Sequence, residues 1–193
     1  MMAHREGPAG VWWFFLLAFA LTGLYCVSRC LVRQNCGRSH RDQHASHALM
    51  AAGMVTMFGP LMVTGTARWI CQGVFAAAAA YFLVAAARSW RLGRTRETLS
   101  GVHHSIANAA MVYMFAMPGL AVVGLTTVLI AYFMVEVLVD GWLLTQHASQ
   151  GGRRRSWEGA THASRILMAA GMVYMFAVMD DVANAGVHHH HLG

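Results

Sequence analysis

The sequence predicts an all-α membrane protein, with six transmembrane helices arranged as three parallel two-helix repeats in a pseudo-threefold bundle. Three observations predict it. The 193 residues are 57% hydrophobic and 11% charged, a balance too apolar for an ordinary soluble domain. Six apolar stretches each approach the length needed to cross the hydrocarbon core of a bilayer. Every second stretch carries the same face, written His44-Ala-Ser-His47-Ala-Leu-Met50-Ala-Ala-Gly-Met54-Val-Thr-Met57-Phe58 in its first copy.

The first span, about residues 11–32, invites comparison with a secretory signal. Its leading segment (His4, Arg5, Glu6) is nearly neutral, no small-residue cleavage site follows, and Arg29 and Arg33 form a basic stop, so it reads as a retained helix. Cys26 and Cys30 stand at i and i+4 near its inner end, with Cys36 beyond. Packing is the ordinary role of such cysteines; the alternative is a pair of thiolates that receives a metal leaving the membrane. The second span, about 45–63, is the first His/Met copy and ends at the Gly59-Pro60 turn. The third, about 69–87, carries the small-residue run Ala76 to Ala80, which lets helices approach closely.

The fourth span, about 102–118, is short, holds His103, His104, Met111 and Met114, and ends at Pro118-Gly119. The fifth, about 120–145, is interrupted by Glu136 and Asp140 at i and i+4, which are costly inside a membrane. They read either as ion-pair partners of Arg165 or as a proton or metal relay with His147 at the end of the same helix. The sixth span, about 160–179, is the third copy: His162, Arg165, Met168, Met172 and Met175. The chain therefore divides as one transmembrane domain with repeats at about 11–63, 69–118 and 120–181, followed by an extracytoplasmic tail over 182–193. The tail's His188 to His191 reads equally as an expression tag or as a native metal-gathering segment.

The repeat extends beyond the His/Met face. Tyr25, Tyr81 and Tyr132, each in the preceding span, stand 29, 30 and 40 residues before Met54, Met111 and Met172. The unit is thus a two-helix hairpin, and the third copy is longer because Gly151 to Arg155 is inserted in its loop.

All 14 basic residues are Arg. Twelve lie in or beside the connections 1-2, 3-4 and 5-6; only Arg5 and Arg68 fall elsewhere. The positive-inside rule then puts these connections in the cytoplasm and both termini outside. Arg without Lys, with the Ala and Gly bias, points to a high-GC bacterium and so to its cytoplasmic membrane. The net charge of +6 is accordingly a topology device, and short separate Arg loops do not build the single basic face a nucleic acid needs.

Along the first copy, His47, Met50, Met54 and Met57 are spaced three, four and three apart, a single stripe on a helix. With the even-numbered spans in register, Met54, Met111 and Met172 make one ring of sulfurs, and Met57, Met114 and Met175 a second about 4.5 Å further along the axis. Met50 and Met168 form a lower layer, with Ala107 in the third place. Below these come His47 and His104 with Arg165, and then His44 and His162; His103 neighbours the layer. A Met stripe is often mere packing. Neutral nitrogen with thioether sulfur is also the donor set that suits Cu(I), and intramembrane His marks a functional site by default. The expectation is a Cu(I)-binding protein that holds or conducts copper along this ladder. The alternatives are a copper-dependent membrane oxidoreductase, a single haem held between His47 and His104, and a structural subunit of a membrane complex.

The repeated H-x-x-[HR]-x-x-M-x-x-x-M-x-x-M-F pattern on six spans resembles a family of uncharacterised actinobacterial polytopic membrane proteins, over most of the chain. Met50-x-x-x-Met54 and Met168-x-x-x-Met172 are also similar in spacing to the stacked Met triads of Ctr-type copper transporters, an architectural analogy in which Met111 lacks its partner at Ala107. The analogy implies a copper ion as ligand, with lipid around the bundle and a copper chaperone or larger membrane complex as partner.

Overall fold

A computed structural model describes residues 9–32, 38–58, 65–116, 122–149 and 156–188. The turns at Gly59-Pro60 and Pro118-Gly119, the insertion at Gly151 to Arg155, Cys36 and His189 to His191 lie outside the described residues, as does the side chain of His147. The described residues form six helices: α1 (Ala9–Val32), α2 (Arg38–Phe58), α3 (Thr66–Arg91), α4 (Thr95–Ala116), α5 (Val123–Ser149) and α6 (Ser156–His188). Among them, three are long and apolar enough to cross a membrane, over Gly10–Leu31, Thr66–Arg91 and Gly124–Gln146. These are the odd-numbered helices. The even-numbered ones begin in polar sequence, with Arg38, Arg41 and Asp42 opening α2 and Arg96 and Glu97 opening α4. Helix α6 runs past the expected end of its span through Ala183 and Ala185, residues of high helix propensity.

The chain divides into two compact units, Met1–Ala116 and Met117–Gly193. In the first, α1 pairs with α2 and α3 with α4, and α2 also touches α4. Both pairs are antiparallel. A Cβ on Gly23 would lie 3.2 Å from that of Ala51, and the Cys30 thiol reaches the Arg41 carbonyl at 3.8 Å, so early α2 meets late α1. Likewise Ser105 donates to the Ala79 carbonyl at 3.0 Å, and a Cβ on Gly101 would come within 2.9 Å of the Ala86 Cβ. Small residues thus set the helix spacing where no hydrophobic driving force could.

Arg68, one of the two arginines outside the clusters, has a local explanation. Its Nε donates to the Phe115 carbonyl and its Nη2 to the Ala116 carbonyl at 3.0 Å. The last turn of α4 leaves such carbonyls without intrahelical donors, and a cation there also suits the helix dipole.

In the second unit, α5 and α6 form one antiparallel hairpin. Phe133 stacks on Phe176 with ring centroids 6.4 Å apart, and Leu144 lies against Gly159. The sides of α1, α3 and α5 turned away from their partners carry most of the large exposed apolar residues among those described, including Leu21, Leu31, Val84, Leu138 and Trp142. Met50, Met54, Met111 and Met114 are buried on α2 and α4.

Candidate functional site

The repeated faces of α2 and α4 meet in a parallel, matched register. Gln43 donates to Ser100 at 2.9 Å, and the His47 and His104 rings make an edge contact with centroids 5.0 Å apart. Each pair joins equivalent positions of two repeat copies. Further along the same seam a Cβ on Gly53 would sit 2.5 Å from the Met111 methyl and 2.6 Å from the Phe75 ring. Residue numbers on both helices rise together, so the two run in the same direction. That is the local reason the seam is layered: side chains of equal rank arrive at equal height.

Each layer has its own chemistry. The two imidazoles are buried, and His104 is further enclosed by Phe82 at 5.0 Å and His103 at 5.2 Å between centroids. One turn on, Asn108, fully buried, donates through Nδ2 to Ser46 Oγ at 3.1 Å and to the His104 carbonyl at 2.7 Å. Met50, Met54, Met111 and Met114 of the same two helices are also buried, with Met57 partly exposed. Gly53 leaves the space that the Met111 methyl and the Phe75 edge fill.

Ser46, Asn108, Gln43 and Ser100 were not among the residues the stripe singles out. Asn108 carried a signal, since it stands four residues after His104 in an apolar run, and an amide there needs a partner. Ser46 carried none, because only the register of α2 against α4 selects it over the neighbouring polar residues.

The second unit holds a different cluster. Asp140 is 1% exposed; its Oδ1 lies 2.7 Å from His162 Nδ1 and its Oδ2 3.2 Å from Arg165 Nε. Arg165 Nη2 reaches Glu136 Oε1 at 3.4 Å. Two carboxylates from α5 are therefore bound to a cation and an imidazole from α6. The ion pair of Arg165 with Glu136 and Asp140 is present, and it engages the residue whose repeat position matches His47 and His104. His162, a candidate ligand by its repeat position, has its Nδ1 committed to Asp140. Met168, Met172 and Met175 are buried on α6.

The remaining histidine of the stripe and the cysteines differ in burial. His44 is partly exposed on α2, Cys26 is buried and Cys30 partly exposed on α1, and Cys71 stands near the start of α3. Among the described residues, no three of His, Cys, Asp and Glu converge as a metal-binding group. Any metal at the α2/α4 seam would therefore draw on thioethers beside its two imidazoles.

The chain belongs to the family described as a domain of unknown function, DUF5134, whose model matches residues 39–179. That range takes in both clusters and leaves out α1. No curated protein and no solved structure matches the chain.

Proposed function

We propose that this is a Cu(I)-binding integral membrane protein that holds or conducts the ion along stacked His and Met layers. The α2/α4 seam supports the reading most: two buried imidazoles in contact, followed along the same parallel helices by four buried thioethers. Cu(I) favours such soft, neutral donors, and thioethers replace hydration without the grip of thiolates. The competing cofactor fits less well. A haem ligated by His47 and His104 would need its macrocycle between the rings, and edge contact at 5.0 Å leaves no slot for one. Met outnumbers His along the seam, which also favours holding or passing the ion over oxidative chemistry.

The finer architecture we propose is six spans in three parallel hairpins, with Met172 and Met175 as the third contributors to the two sulfur rings. The repeat in the sequence supports it, as does the matched register of the first two copies. The Arg-rich connections would face the cytoplasm and both termini the outside.

The test is elemental analysis, with anomalous scattering at the copper edge, on detergent-purified protein lacking His188 to His191. Copper should be found at the seam. Replacing Met54, Met111 and Met172 together by Leu keeps apolar volume, at a cost usually under about 1.5 kcal/mol each, and should remove the copper while the fold persists. Binding that remains in a His47→Ala, His104→Ala variant should be less sensitive to acid, because a protonated imidazole cannot ligate and thioethers do not titrate. Full metal content in the triple Leu variant would make the Met layers packing.

A further inference from the structure

The turn between α3 and α4 is short, ordered and strongly basic. Arg94 N–H bonds the Ser89 carbonyl at 3.0 Å and Gly93 N–H the Trp90 carbonyl at 3.0 Å, with Gly93 at φ 68°. This is the paired bonding that closes a helix through a left-handed glycine. It brings Arg88 and Arg91 of the last turn of α3 close to Arg94 and to Arg96 of the first turn of α4. Arg94 pairs with Glu97 at 3.4 Å. The exposed guanidiniums of Arg88, Arg91 and Arg96 have no hydrogen-bond or ion-pair partner among the described residues.

Two further observations say what would cover them. The arginines stand at the end of the membrane-length segment Thr66–Arg91, so the turn emerges where a bilayer's headgroups lie. Trp90 and Leu92, 72% and 67% exposed, sit among them. Tryptophan is enriched at this depth because its ring is apolar with one polar edge, and the planar guanidinium fork matches phosphate oxygens in pairs. A soluble phosphate would satisfy the arginines and leave both apolar side chains in water. A lipid phosphate satisfies the arginines while its acyl chains cover Trp90 and Leu92.

We propose that the α3–α4 turn is a binding surface for anionic phospholipid headgroups, with Arg88, Arg91 and Arg96 holding phosphate and Trp90 seated at the acyl boundary. It stands independently of the copper reading. Each basic residue near an anionic surface contributes about a fivefold preference, so three contribute on the order of a hundredfold.

The full chain would be placed in nanodiscs of equal parts phosphatidylglycerol and phosphatidylcholine, then extracted gently and its retained lipids weighed by native mass spectrometry. The wild type should retain phosphatidylglycerol selectively. Arg88→Gln, Arg91→Gln and Arg96→Gln combined should lose most of that selectivity, and the matching Lys variant should fall between. Should the Gln variant fail to fold, the wild type still decides: chain-brominated phosphatidylglycerol should quench a tryptophan emission component that is absent in Trp90→Phe, and do so more than brominated phosphatidylcholine. Equal retention of both lipids by the wild type, undiminished selectivity in the Gln variant, equal quenching, or displacement of the lipid by inorganic phosphate would each overturn the proposal.

Discussion

On α4, His104 meets His47 of the neighbouring repeat copy; at the matching position of α6, Arg165 meets Glu136 and Asp140 of its own hairpin. The first contact joins two aromatic rings, the second a guanidinium and two carboxylates. The preceding helices account for the difference. Counting four and eight residues on from the matching tyrosines, α5 supplies Glu136 and Asp140 after Tyr132, whereas α3 supplies Ala85 and Ser89 after Tyr81. A helix that offers two carboxylates in an apolar setting needs a cation across from it. A repeated sequence face therefore does not fix the chemistry at a given rank, which depends on what the helices packed against it offer.

The contrast would break most visibly at Arg165. Arg165→Met leaves two largely buried carboxylates without their cation, and removing one member of a buried ion pair costs about 3 kcal/mol or more. A large fall in the thermal unfolding temperature in detergent is expected, with most of it recovered when Glu136→Gln and Asp140→Asn accompany the change. A single variant that melts like the wild type would mean that the cluster behaves as a solvated surface pair, and the two regions would no longer differ in kind.

The α2/α4 seam is tested by steric rather than electrostatic means. Gly53→Ala drives a methyl into the Met111 methyl and the Phe75 ring, and overpacking of this kind costs about 1–3 kcal/mol. Gly73→Ala on α3 meets nothing within 4 Å and should instead stabilise, by about 0.5–1 kcal/mol from helix propensity. Chemical denaturation of both variants gives the comparison. Equal effects of the same sign would show that the α2/α4 contact is loose.

The smallest effect concerns the amide between the His and Met layers. A double-mutant cycle of Ser46→Ala and Asn108→Ala should return a coupling of about 0.6 kcal/mol, the average for hydrogen bonds between membrane helices. Coupling indistinguishable from zero would remove this bond from the description of the seam and leave the register resting on Gln43–Ser100 and the imidazole contact.

Helix number and order were legible because hydropathy acts locally. Within the α2/α4 seam, the repeat also indicated which faces would be used: His47, Met50, Met54, His104, Met111 and Met114 are all buried. The cysteines show where that kind of inference stops. Cys26 and Cys30 share a helical face in sequence, yet burial separates them: Cys26 is buried, while Cys30, which reaches the Arg41 carbonyl of α2, is partly exposed.

Composition and periodicity by themselves determined that this chain is built of apolar helices and that one face recurs in three copies; these follow from residue type and spacing alone, whereas of the six spans they suggested, three among the described residues are helices long and apolar enough to cross a membrane. The tertiary structure decided which copies of the face meet and with what. Whether His104 finds an imidazole, whether Asn108 finds Ser46, and whether Arg68 closes the end of α4 all depend on the rotation and height of one helix against another. Those are set by small contacts such as Gly53 under Met111 and Gly101 against Ala86, between residues far apart in the chain, where spacing along one helix carries no information.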